Sequence, residues 1–99
     1  NTRYDLVITR AVAKLNILCE LCIPLLKING LFISMKANAK EEIEESKAAI
    51  NILDSKIEKI FEFNLPIENS KRTIIIIKKE KETDKKYPRR YSEIKKNSL

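Results

Sequence analysis

Arg10, Lys36, Lys71 and Arg72 are side chains whose types suit one kind of chemistry, the holding of anions. A guanidinium meets a carboxylate or phosphate with two parallel bonds, and an ammonium meets it as a point charge. The 99 residues contain no His, which excludes imidazole acid–base catalysis and imidazole metal ligation. Cys19 and Cys22 form a Cys-x-x-Cys. A redox pair of that kind sits at a helix start after a strand, and a zinc site needs more ligands. These two fall inside a helical pattern and read as small core residues with free thiols. Glu41, Glu42, Glu44 and Glu45 crowd a helix start, where the helix dipole favours negative charge, so they read as solvated and no metal is expected. The single glycine, Gly30, leaves no phosphate-cradling loop.

The elements that position these cations follow from periodicity. Leu6 to Ile8 is a short apolar run, read as a strand buried on both faces. Arg10 follows its carboxyl end, where ligands sit in open α/β sheets. Leu15, Leu18, Cys22, Leu25 and Leu26 predict a helix from Lys14 to about Leu26. Pro24 should distort its last turns, and Gly30 should supply a left-handed stop. Leu31 to Met35 is a second buried-type strand, parallel to the first through a right-handed crossover, which puts Lys36 on the same rim as Arg10. Asn38 is the expected cap of a helix over Lys40 to Leu53, with Glu41 as its capping-box partner. Ser55 to Leu65 alternates as a half-exposed edge strand, with Ile57, Phe61, Phe63 and Leu65 on one parity and a break at Lys59 and Ile60. Thr73 to Ile77 is apolar on both faces and lies inside the sheet. A short loop joins it to the edge strand, so it should run antiparallel. Its start, Lys71 and Arg72, then shares the rim with Arg10 and Lys36.

Charge is uneven along the chain. Residues 78–99 hold nine Lys/Arg against four Asp/Glu, so most of the net +6 lies there, and a basic tail suggests a polyanion partner. Tyr87 and Tyr91 in that tail suit stacking on unpaired bases, and Arg89 and Arg90 suit phosphates. No apolar run is long enough to cross a membrane, and no signal peptide is read. The chain begins at Asn1 and enters a buried-type strand almost at once, which reads as a fragment or as a chain whose beginning is missing.

The stretch Tyr4-Asp5-Leu6-Val7-Ile8-Thr9-Arg10-Ala11-Val12-Ala13 resembles the fourth strand and following loop of the bacterial small-subunit rRNA 7-methylguanosine methyltransferases (RsmG, also called GidB). That family shows an aromatic, Asp, two or three apolar residues, then Ser-Arg-Ala; Thr9 stands for the Ser. Lys36 matches a Lys that the family follows with Gly, where Ala37 stands here. Arg72 matches the Arg before the last strand, and Lys86-Tyr87-Pro88-Arg89-Arg90 matches a basic Tyr-Pro-Arg segment. Ser92 replaces a Gly, and Ile94 and Ser98 replace Pro. The likeness runs to Leu99 and covers the carboxyl half of a family member.

The resemblance implies an α/β chain forming the carboxyl half of a class I, Rossmann-like S-adenosylmethionine-dependent methyltransferase. Strands four to seven and two helices would occupy residues 1–79, in a mixed sheet with an antiparallel last strand, followed by a basic tail over 80–99. It implies methylation of a guanine in 16S rRNA, by in-line attack of a ring nitrogen on the cofactor's methyl group. Arg10 would border the cofactor, and Lys36, Lys71, Arg72, Tyr87, Arg89 and Arg90 would bind RNA. The glycine-rich cofactor turn would lie outside this chain, in an amino-terminal half of the same domain, so the 99 residues alone are expected to be inactive. The cytoplasm and the small ribosomal subunit are the implied setting. The alternative is a non-catalytic RNA-binding or ribosome-assembly module that lacks the cofactor site.

Overall fold

The computed structural model describes residues 3–10, 13–37, 39–67 and 70–99. Its elements are β1 (Tyr4–Thr9), α1 (Leu15–Cys22), a turn of 3-10 helix (Ile23–Leu25), β2 (Leu26–Lys36), α2 (Lys40–Ile52), β3 (Ser55–Asn64), β4 (Lys71–Lys79) and α3 (Tyr91–Lys96). The strands make one four-stranded sheet in the order β1-β2-β4-β3. β1 and β2 are parallel; β4 runs antiparallel to both β2 and β3. This is the mixed sheet expected, with the last strand inserted backwards between its neighbours.

The first helix departs from its predicted span. Pro24 has no N–H to give, and the chain tightens to 3-10 geometry from Ile23 onward. Leu26 then enters β2 directly, five residues before the strand start that periodicity suggested. The ladder explains the discrepancy. Tyr4 pairs with Leu26 and Leu6 with Leu31, so one residue of β1 faces four of β2 across a bulge. Asn29, at φ 71°, carries the left-handed conformation, and Gly30 does not. Gly30 is needed for space instead. A Cβ there would lie 2.9 Å from the Lys27 carbonyl oxygen and 3.2 Å from that of Asp5. Lys79 Nζ donates to the Leu26 carbonyl at 2.7 Å, at the base of the same bulge. Burial pulls that ammonium below its ordinary range; Arg3 pulls the same way and Glu82 opposes.

Side-chain alternation then sorts the sheet into two unlike faces. Phe32, Ser34 and Lys36 of β2 and Thr73, Ile75, Ile77 and Lys79 of β4 are buried. Leu15, Leu18, Ile23, Ile50 and Leu53 close over that face and form the core. The opposite face has no helix among the described residues. Leu6 and Ile8, read as part of a strand buried on both sides, are 47% and 63% exposed. β1 is an edge here, and its outward residues meet no second layer among the described residues.

β3 is the other edge, as its alternation predicted. The break at Lys59 and Ile60 is a register shift between Ile57 and Lys59. It turns Phe61 and Phe63 onto the uncovered face while Ile57 stays with the helices, so the parity shared in the sequence is not shared in space. Asn38, read as the cap of α2, lies outside the described residues, as does part of the Arg10-to-Ala13 stretch. The described N-cap of α2 is Ala39, which has no side-chain bond to offer.

Gly30→Ala is expected to destabilise the chain by about 1–3 kcal/mol, because the added methyl presses on backbone oxygens that cannot rotate away. Urea unfolding of the two proteins at equal concentration measures it.

Candidate functional site

The register assembles the rim. Thr9 pairs with Ser34 and Lys36 with Thr73, so Arg10, Lys36 and the start of β4 lie along one edge of the sheet. The predicted cations are therefore brought together by strand direction alone. They differ in what they do there.

Arg10 is exposed at the end of β1. Arg72 is half-buried, faces the uncovered side with Ile74 and Ile76, and donates to the Lys71 carbonyl at 3.1 Å. Lys71 faces the helix side and pairs with Glu62 at 2.6 Å. It lines a groove of about 410 Å³ between α2 and the outer strands, floored by Ile43, Ile57 and Ile60. Lys36 is 7% exposed; its ammonium donates to the Ala13 carbonyl and lies 3.2 Å from Glu42 Oε1. That same oxygen accepts the Leu15 N–H at 2.9 Å. Glu42, one of the glutamates read as solvated, thus caps α1 from another helix.

The tail divides in the same way. Tyr87 and Leu99 pack against the core and Ile94 is fully buried, so residues past β4 belong to the fold. Arg89 grips Glu20, whose side chain is fully buried. Nε donates to Oε2 at 2.9 Å, Nη2 to Oε1 at 2.8 Å, and the backbone N–H of Arg89 to Oε2 at 2.9 Å. Burial acts to raise the Glu20 carboxyl. The side-chain bonds, the backbone bond and the charge of Arg89 outweigh it and hold the carboxyl below the usual range. The Arg89 guanidinium is raised, chiefly by its bonds to Glu20. Sequence reasoning missed Glu20, although a carboxylate inside Leu18-Cys19-Glu20-Leu21-Cys22 signals a need for a buried partner.

Arg90, Tyr91, Lys95 and Lys96 are exposed in this segment, as are Ser92 and Glu93, and Lys95 Nζ lies 5.7 Å from the Tyr91 ring centre. Lys86 lies similarly over Tyr87 at 5.3 Å. Ala37, where a Gly was expected, has no left-handed φ, so its methyl imposes no backbone strain there. Ile94 and Ser92, in place of Pro and Gly, sit within α3.

Cys19 and Cys22 are free thiols within α1. Burial pushes Cys19 up to about 12, with Cys22 adding and Lys36 opposing, and burial raises Cys22 as well. Neither is a poised thiolate. Among the described residues no three His, Cys, Asp or Glu side chains gather to hold a metal ion. No described helix is long and apolar enough to cross a membrane.

The chain is similar to a known family. The family model described as GidB, rRNA small subunit methyltransferase G, matches residues 1–75. A protein of Acetivibrio thermocellus with the name ribosomal RNA small subunit methyltransferase G is 50% identical over 97 residues, covering 98% of this chain and 40% of that protein. Proteins of the same name from Oceanobacillus iheyensis and Bacillus subtilis are 54% and 53% identical over 88 residues, covering 88% of this chain and 37% of each relative. The chain thus spans about two fifths of the length of the relatives it matches.

Arg89→Ala strands a buried carboxylate and is expected to cost about 3 kcal/mol in urea unfolding near neutral pH. Because the Glu20 pKa is depressed on folding, the pair's contribution is complete above the ordinary value of 4.5 and is lost as the pH falls below it. Glu20→Gln should flatten that acid limb of a stability–pH profile.

Proposed function

The chain belongs to the GidB family, rRNA small subunit methyltransferase G, and on that premise we propose that it is the carboxyl-side part of an enzyme that forms 7-methylguanosine in small-subunit rRNA. The observation that carries the reading is the rim. Two guanidiniums, Arg10 and Arg72, and the ammonium of Lys71 stand along the carboxyl edge of β1 and β2, Lys71 on the helix side and Arg72 on the other, and that edge is where open α/β sheets hold ligands. Arg10 borders the methyl donor and the target base. Arg72, Lys71 and the outward tail residues Arg90, Tyr91, Lys95 and Lys96 take RNA phosphates and unpaired bases. The cytoplasm, where ribosomal subunits are assembled and modified, is the setting.

S-adenosylmethionine is the methyl donor this reading implies. The described residues fit it as a border and not as a cradle. Gly30, the single glycine, is packed against the Lys27 and Asp5 carbonyls inside the sheet and is not at the rim. Arg10 is therefore assigned to orientation alone, and the rate the site provides is a matter of positioning and of fixed charge.

A chimaera of the amino-terminal part of the Bacillus subtilis relative joined to this chain tests the function. It should form 7-methylguanosine in undermethylated small-subunit rRNA, detected by nucleoside mass spectrometry, and Arg10→Ala should slow it about 100-fold. Calorimetry of the 99 residues alone should give a dissociation constant for S-adenosylmethionine no tighter than about 1 mM. A chimaera that is folded and inactive beside an active parent overturns the proposal.

The RNA interface has its own signature. Affinity of the chain for single-stranded rRNA fragments should fall about tenfold or more between roughly 50 and 200 mM salt. Fluorescence anisotropy at several salt concentrations reads it, and a flat response would remove the phosphate contacts.

A further inference from the structure

Lys36 and Glu42 sit where three elements meet. Lys36 ends β2, Glu42 lies in the first turn of α2, and the Leu15 N–H opens α1. One carboxylate oxygen of Glu42 receives the Leu15 N–H at 2.9 Å and lies 3.2 Å from Lys36 Nζ, which also donates to the Ala13 carbonyl. Lys14, the N-cap of α1, makes no side-chain capping bond, so the orphan donor of that helix is satisfied from outside it.

The consequence falls on Arg10. Its upstream neighbour Thr9 is held by pairing opposite Ser34. Downstream, Ala13 and Leu15 are held by Lys36 and Glu42. Arg10 is three residues from Ala13 in the sequence, so the place where α1 starts limits how far from it Arg10 can lie. A nearly buried ammonium that already serves a carbonyl and a carboxylate gains little by reaching for a phosphate, because its present partners would be left desolvated and unpaired.

We propose that Lys36 and Glu42 are positioning residues that lock the start of α1 and, through the short chain between that start and Arg10, the reach of Arg10, and do not themselves touch RNA. This rests on the reading of Arg10 as part of the nucleic-acid rim, and its test separates the two. With the full 99-residue chain and a labelled, guanine-containing single-stranded RNA, Arg10→Ala and Lys36→Met should each weaken binding about tenfold. The double variant should be no weaker than Arg10→Ala, since Lys36 acts through Arg10. Multiplied losses of about 100-fold would overturn the proposal, because Lys36 would then meet RNA directly. Glu42→Gln keeps an oxygen for the Leu15 N–H and should stay within about threefold of the parent, while Glu42→Ala should fall with Lys36→Met. Parent-like affinity in Glu42→Ala would also overturn it.

Amide hydrogen exchange gives a readout that needs no RNA. Residues 15–18 should exchange about tenfold faster in Lys36→Met and Glu42→Ala, with the β4 amides unchanged. Unchanged exchange at residues 15–18 would overturn the lock whatever the RNA affinity. If the parent chain binds no RNA, the rim reading fails and exchange alone decides the lock. If Lys36→Met loses β4 protection, it has unfolded, and Glu42→Ala carries the test.

Discussion

β4 enters the sheet against the direction of β2, and what the molecule presents at its rim follows from that pairing. With Lys36 opposite Thr73, the residues that begin β4 stand where β2 ends. A parallel β4 would have put Lys78 and Lys79 there and sent Lys71 and Arg72 to the far edge. The reversal asks for only a short connection from β3, where a parallel return would need a crossover of a dozen or more residues. The same pairing places Ile75 and Ile77 under the helices, so the rim and the core are set by one register.

Apolar burial brings α1 and α2 onto the sheet, but it has no direction, and it does not by itself say where a helix must begin. The joints are specified by buried charge. Lys36 and Glu42 set the start of α1; Lys79 answers the Leu26 carbonyl at the bulge; Glu20 receives the tail through Arg89. Each of these groups would be costly alone, and each is bonded. The chain is basic overall, yet its most buried cations serve the fold, while Arg10, Arg90 and the lysines of α3 are among those offered outward.

The strand order, the hairpin and the exposed edge of β3 were legible because periodicity and connection length determine them together. Both faces of β1 and β4 are apolar in the sequence, so the one-sided burial of the sheet was not. The β2 start was hidden by the bulge, because extra residues in a ladder erase the alternation that announces a strand. Gly30 drew the left-handed assignment by its type, while Asn29 took the conformation. Lys36 is the instructive case. Its parity with Phe32 and Ser34 places it on the helix-facing side, and that parity was visible beside its position at the strand end. Glu20 and Arg89 lie 69 residues apart, and no local pattern pairs them.

The distance between those two partners bears on how the chain is made. Synthesis proceeds from the amino end, and domains fold as units while it proceeds. Glu20 is in place when α1 forms, yet its carboxylate has no guanidinium until residue 89 has been added. Through that interval α1 must leave an ionised group in water or hold back from the sheet. Burial of Glu20 as a paired carboxylate therefore needs the tail, and a chain that stops before residue 89 carries an unpaired acid in α1. Until residue 89 is added, the same carboxylate works against the docking of α1, so the segment past β4 completes the burial of that helix rather than merely following the sheet.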